Sequence, residues 1–133
     1  MISFDAATHT YTLDGRALPS VTQITGAWRE AVTGHKFGPG FEWYAERGTI
    51  VHECIALHLR GELDRASVAP ATAGFFAAFL LFEQQERFAA LAFERQVHTE
   101  EYAGTMDALG ICGRTTVLCD WKTGKPDWTH ALQ

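Results

Sequence analysis

The chain has 133 residues, which is enough for one compact domain around one hydrophobic core. Its content of 47% hydrophobic and 20% charged residues is ordinary for a folded protein, so we expect little disorder. The formal net charge of −5 argues against a protein that binds nucleic acid mainly by neutralising phosphates. It does not exclude an anionic substrate at a metal site, because a bound divalent cation reverses the local charge.

The three cysteines indicate a reducing compartment. Cys54, Cys112 and Cys119 form no Cys-x-x-Cys pair, and the N-terminus lacks the basic start and apolar run of a targeting segment. We therefore expect free thiols in a cytoplasm, with neither a zinc site nor an iron–sulfur cluster. The most apolar stretch, residues 75–82, is far shorter than the roughly 20 residues that a membrane span needs.

The N-terminal residues 2–25 are predicted to form a small β element. Thr10–Leu13 alternates in polarity, Asp14-Gly15 is typical of a hairpin turn, and Val21–Ile24 adds further β-branched residues. Residues 33–40 contain three glycines and a proline, which predict a loop.

Two helices are predicted next, over residues 41–59 and 70–91. In the first, apolar side chains recur every three or four residues, and Gly61 is a suitable stop. The second begins at Pro70 and carries a row of phenylalanines, which we interpret as core packing and not as a base-stacking surface. A last helix is predicted from near Trp128.

Three strands are predicted after the second helix, over residues 93–99, 102–109 and 115–122. A hairpin turn at residues 110–114 joins the last two, and the third has the apolar centre of a buried strand. These strands and the helices together predict an α/β (α+β) domain.

The third predicted strand presents an acid and an amine together. Side chains alternate between the faces of a strand, so Asp120 and Lys122 share one face and Trp121 points to the other. Antiparallel pairing brings Asp107 of the preceding strand close to Asp120. Two close carboxylates favour a bound cation, and oxygen ligands suit Mg²⁺ or Mn²⁺. The alternative is that these are solvated surface charges, which also fits the spacing.

Two further residues are ambiguous when taken alone. His52 lies in the first predicted helix, where a histidine is more often a packed or exposed side chain than a metal ligand. Glu94 is compatible with a solvated charge on a strand.

The order of these residues resembles the PD-(D/E)XK nuclease superfamily, and within it the RecB-type and phage exonuclease branch. The matching segments are Gly48-Thr-Ile-Val-His52, Glu94, Tyr102-Ala-Gly-Thr-Met-Asp107, Asp120-Trp-Lys-Thr-Gly124 and Gln133. The resemblance covers most of the chain. It implies a mixed central sheet flanked by helices, with an N-terminal β-hairpin.

The resemblance implies a role for each matching residue. The expected metal ligands are His52, Asp107, Asp120, the backbone carbonyl of Trp121, and Glu94. Asp107 and Asp120 would act in catalysis with Lys122, which would activate the attacking water and stabilise the transition state. Substrate contacts are expected from Gln133, Thr123 and Lys125. The cofactor would be one or two Mg²⁺ or Mn²⁺ ions, and the substrate DNA.

The family continues beyond the position of Gln133 with the rest of a helix and a further strand. We therefore expect a single domain over residues 1–133 whose core, residues 41–133, lacks its last part. Exposed apolar surface would then favour self-association or a partner chain that completes the fold.

Three functions remain open at this point. The first is a DNA nuclease, which we expect to be an exonuclease, of recombination, repair or phage DNA metabolism, in a bacterial or phage-infected cytoplasm. The second is a non-catalytic nucleic-acid-binding or scaffold module with the same fold. The third is an unrelated structural domain in which the motifs match by accident.

Overall fold

The computed structural model describes residues 1–34 and 38–125, which form an α+β protein. The elements in chain order are β1 (Ile2–Asp5), β2 (Thr10–Leu13), β3 (Arg16–Leu18), α1 (Val21–Thr33), α2 (Phe41–Arg60), α3 (Pro70–Gln85), β4 (Phe88–His98), β5 (Ala103–Cys112) and β6 (Thr115–Cys119). They include two three-stranded antiparallel sheets, ordered β1-β2-β3 and β4-β5-β6.

The chain divides into two compact units. Of the described residues, the first contains 1–34 and 95–106, and the second contains 38–94 and 107–125. In the first unit, β1, β2 and β3 form a meander in which Tyr11 pairs with both Phe4 and Leu18. Tyr11 is buried, and its hydroxyl lies 2.8 Å from Oγ1 of Thr105.

The prediction of β structure up to residue 25 is wrong, because Val21–Thr33 forms α1. Ser20 caps this helix: its hydroxyl accepts from the backbone N–H of Gln23 at 3.0 Å, and its own N–H donates to the Gln23 side chain at 2.9 Å. This reciprocal capping box is a helix-start signal that the β-branched residues after it obscured.

The loop predicted at residues 33–40 is confirmed in part. Gly34 ends α1 in the left-handed conformation, with φ at 68°, and residues 39 and 40 form a turn before α2. Residues 35–37 lie outside the described part of the chain.

The core of the second unit lies between α2 and α3. Val51, Cys54 and Ile55 of α2 pack against the buried Phe76 and Phe79 of α3. This packing confirms the first predicted helix to within a residue and confirms the phenylalanines as core. Gly61 ends α2 with a φ of 74°, as its freedom to adopt left-handed conformations allows.

The second predicted helix is too long at its end. The helix α3 stops at Gln85, and Arg87 takes a positive φ of 53°, which turns the chain out of the helix. Residues 88–91 instead begin β4. Because the run 88–92 is apolar throughout, its pattern fits a buried helix and a strand equally well.

The last two strands also differ from their predicted bounds. The strand β5 runs on to Cys112, so the hairpin turn is reduced to Gly113 and Arg114. The strand β6 ends at Cys119, three residues before its predicted end, and residues 120–122 follow without regular secondary structure. The helix predicted from Trp128 lies outside the described residues. Among the described helices, none is long and apolar enough to cross a membrane.

Gly110 offers a test of the packing between β4 and β5. A Cβ placed there would lie 2.3 Å from the Phe88 ring and 2.6 Å from the carbonyl oxygen of Ala89. We expect Gly110→Ala to lower the free energy of unfolding by about 1–3 kcal/mol, as overpacking does, measured by urea denaturation.

The matched control is Gly74→Ala on α3, where an added Cβ meets nothing within 4 Å. It should raise stability by up to about 1 kcal/mol, because alanine is the better helix former. Equal stability of the two variants would contradict the close approach at Gly110.

Candidate metal centre

Three side chains of the second unit converge on one point. His52 of α2, Glu94 of β4 and Asp107 of β5 each offer a ligand atom, and these atoms lie within 4.8 Å of one another. The three residues lie far apart in the sequence, so the fold and not local spacing creates the group. A group of one imidazole and two carboxylates could hold a metal ion.

Two hydrogen-bonding groups orient the imidazole of His52. Its Nε2 lies 2.8 Å from the carbonyl oxygen of Trp121, and its Nδ1 lies 3.4 Å from Oδ1 of Asp107. A carbonyl oxygen can only accept, so Nε2 must carry the proton of this bond. Nδ1 is then the nitrogen that can bind a metal when the ring is neutral, as in metal sites where a carbonyl holds the other ring N–H.

The carboxylate of Asp107 is held by the same backbone unit. Its Oδ2 accepts from the backbone N–H of Trp121 at 2.6 Å. Trp121 therefore contacts His52 through its carbonyl oxygen and Asp107 through its N–H. Only a tenth of the Asp107 side chain is exposed, so this bond also satisfies an oxygen that water reaches poorly.

The indole of Trp121 fixes that backbone in place. Its ring packs edge-on against Phe79 at a centroid distance of 5.2 Å, and against Phe82 and Phe88 at 5.9 and 6.1 Å. These rings come from α3 and the start of β4. The aromatic core thus determines where the two backbone groups of Trp121 meet the candidate ligands.

Asp120 and Lys122 form an ion pair with each other. The Nζ of Lys122 lies 3.0 Å from Oδ1 and 2.8 Å from Oδ2 of Asp120, consistent with the predicted shared face. Continued by one residue, the β5–β6 register sets Asp107 opposite Asp120. Among the described residues, however, Asp120 is not a member of the group around His52.

The predicted substrate contacts lie on the segment that follows. The carbonyl oxygen of Thr123 accepts from Nη2 of Arg47 at 2.7 Å, and Lys125 is exposed. Gln133 lies outside the described residues.

The titration of His52 and Glu94 reflects their proximity to Asp107. Burial disfavours the charged form of His52, but Asp107, the Trp121 carbonyl and Glu94 outweigh it and raise the pKa of the imidazole. Desolvation raises the pKa of Glu94, and the charge of Asp107 raises it further, against the opposing effects of His52 and Arg60. Without a cation, the site therefore tends to retain protons.

The backbone at Glu94 is strained. Its φ of 48° lies in the left-handed region, although it stands within β4. For a residue other than glycine this conformation is unfavourable, and it often occurs where a strand bulges to aim a side chain. The strain therefore coincides with the residue that completes the group.

An open cleft of about 240 Å³ lies beside Trp121. It is lined mainly by apolar side chains of α2 and α3, and its two charged lining residues are Asp120 and Lys122. The acid–amine pair therefore borders a space that a ligand could enter.

The role of Arg47 was not predicted. This residue of α2 binds the Thr123 carbonyl and so helps to position the segment after Lys122. The available signal was the arginine itself, which interrupts an otherwise apolar stripe.

Comparison with models of protein families, with curated proteins and with solved structures finds no match to this chain. The assignment to the PD-(D/E)XK superfamily therefore stays a prediction that depends on the residues described above.

Metal binding can be tested by thermodynamic linkage. We expect Mn²⁺ at about 100 times its Kd to raise the free energy of unfolding by about 2.7 kcal/mol, measured by urea denaturation with and without the ion. The variants His52→Ala and Asp107→Asn should lose most of this gain. Asparagine keeps an oxygen for the Trp121 N–H, so Asp107→Asn removes mainly the charge.

Glu83→Gln is the matched control, because Glu83 also pairs with a histidine of α2, His58, at 2.9 Å. It should retain the full gain from Mn²⁺. If Asp107→Asn keeps the gain, or if Glu83→Gln loses it equally, His52, Glu94 and Asp107 are not the metal site.

Proposed function

We propose that this chain carries the active site of a divalent-metal-dependent DNA nuclease that hydrolyses phosphodiester bonds. The proposal includes a PD-(D/E)XK-type site with Mg²⁺ or Mn²⁺ as its cofactor. Exonuclease action and a role in recombination, repair or phage DNA metabolism remain predictions from the resemblance.

One observation carries the proposal: the segment 120–122 serves both parts of the site. Trp121, at its centre, holds His52 and Asp107 through its backbone. The residues on either side, Asp120 and Lys122, form an acid–amine pair beside an open cleft. An ordinary surface ion pair would not need a candidate metal group beside it. The presence of the ion pair and the metal group together therefore favours a catalytic site over an accidental match of motifs.

The donor set fits the proposed ions. Two carboxylates suit Mg²⁺ and Mn²⁺, whereas the single imidazole favours Mn²⁺ of these two. A divalent cation bound there would polarise the scissile phosphate and lower the pKa of a coordinated water. His52, Glu94 and Asp107 would hold it, and the positive charge would displace the protons that this cluster otherwise retains.

Lys122 supplies positive charge at the other part of the site. Its ammonium group is held by Asp120 and would donate hydrogen bonds to the negative charge that grows on the phosphate in the transition state. We therefore assign Asp120 the task of orienting Lys122. The role of Asp120 as a second acidic metal ligand, which the resemblance implies, stays a prediction.

Cleavage of labelled linear DNA, single-stranded and duplex, with Mn²⁺ or Mg²⁺ tests the proposal. We expect the parent chain to cleave, and Lys122→Met to lower the single-turnover rate by about 100-fold or more. Asp107→Asn should abolish cleavage. Glu83→Gln should cleave at the parent rate, since it leaves the site intact.

Two outcomes would count against this function. A parent that binds Mn²⁺ and DNA without cleaving either substrate favours a non-catalytic nucleic-acid-binding module. If the parent cleaves but Lys122→Met and Asp120→Ala cleave equally fast, the chemistry lies elsewhere in the chain.

A further inference from the structure

The start of α2 exposes two large aromatic side chains. Trp43 is 54% exposed and Tyr44 is 56% exposed, and their rings meet edge to face at a centroid distance of 5.0 Å. Neither belongs to the hydrophobic core of the second unit. Single exposed apolar residues are common on protein surfaces, whereas contiguous exposed apolar surface marks interaction sites.

Arg47 holds these rings in place. The centre of its guanidinium group lies 5.0 Å from the Trp43 ring centroid, 5.1 Å from that of Tyr44 and 4.7 Å from that of Phe75. Its Nη2 is tied to the Thr123 carbonyl oxygen. Within the described residues its buried Nε has no hydrogen-bond partner, so contacts with the aromatic faces compensate for part of the lost hydration.

This aromatic cluster adjoins the candidate active site. Thr123 directly follows Lys122, and Phe75 lines the same cleft as Asp120 and Lys122. Along α2, Tyr44 precedes His52 by eight residues, a rise of about 12 Å. That distance corresponds to three or four nucleotides of a stacked strand at about 3.4 Å each.

Charge argues for stacking and not for phosphate binding as the source of affinity. The chain carries a net charge of −5, and Glu42 and Glu46 lie on the same stretch of helix as the rings. A surface of this charge gains little from phosphate neutralisation. Exposed ring faces can still bind unpaired bases, because every base has a π face to stack.

We propose that Trp43 and Tyr44, positioned by Arg47, form a stacking platform for the bases of single-stranded DNA entering the metal centre. The inference rests on the proposed nuclease function and narrows its substrate to single strands or frayed ends. Bases inside a duplex are already stacked on their neighbours and offer the platform no face.

The test is the binding of a 3′-fluorescein-labelled twelve-nucleotide oligothymidine, followed by anisotropy in EDTA. We expect Trp43→Ala/Tyr44→Ala to weaken binding by at least about 10-fold, as the loss of one or two stacked bases implies. Trp43→Phe keeps a ring and should retain most of the affinity. The slope of log Kd against log salt should stay the same, since no phosphate contact is removed.

Leu81→Ala is the matched control, because Leu81 is 52% exposed on α3 of the same unit. It should bind the oligonucleotide as the parent does, and a blunt duplex should bind parent and double variant alike. Circular dichroism shows whether each variant is folded, and Trp43→Phe separates loss of the ring from loss of the fold.

Three results would overturn the platform: a parent that does not bind the oligonucleotide, a folded double variant within twofold of the parent, or an equal loss of duplex binding. Self-association that disappears in the double variant, with DNA binding unchanged, would identify a protein interface instead. The binding assay contains EDTA and no metal, so it can succeed even if the protein does not cleave DNA. A negative binding result, in turn, does not decide whether the protein cleaves DNA with a metal.

Discussion

The geometry of the candidate site depends on the placement of one peptide segment by an aromatic core. The indole of Trp121 packs among Phe79, Phe82 and Phe88, and this packing determines where its N–H and carbonyl groups lie. Those two groups then hold Asp107 and His52. Backbone groups anchored by a large, half-buried side chain that packs against the core have little freedom, which is the support that a functional constellation needs. The packing of the Trp121 indole therefore contributes to the core and also determines the geometry of the candidate site.

Much of the second unit followed from sequence pattern, and the errors there have physical causes. The long apolar stripe of α2 and its glycine stop predicted that helix to within a residue. The end of α3 was misplaced because residues 85–92 lack a glycine or proline, and an apolar run fits helix and strand equally. The helix α1 was missed because its β-branched start outweighed the capping signal at Ser20.

The sequence predicted which residues form the candidate site better than it predicted how they are arranged. His52, Glu94 and Asp107 were all named from the sequence, and the structure brings their side chains together. The predicted pairing of Asp107 with Asp120 assumed that β6 continued to Lys122, but the strand ends at Cys119. Beyond that point the ladder no longer fixes the pairing, and Asp120 forms its ion pair with Lys122. The tie between Arg47 and Thr123 joins residues 76 positions apart, which no local pattern predicts.

The left-handed backbone at Glu94 is unfavourable for stability, but the glutamate side chain contributes to the candidate metal group. Glycine or asparagine would adopt a φ of 48° at lower cost than glutamate does. Either substitution would remove a carboxylate that lies close to the side chains of His52 and Asp107. A chain selected for stability alone would therefore tend to lose glutamate at this position. Unfavourable backbone of this kind is found where the placement of a side chain outweighs local stability, and at Glu94 it coincides with a member of the candidate metal group.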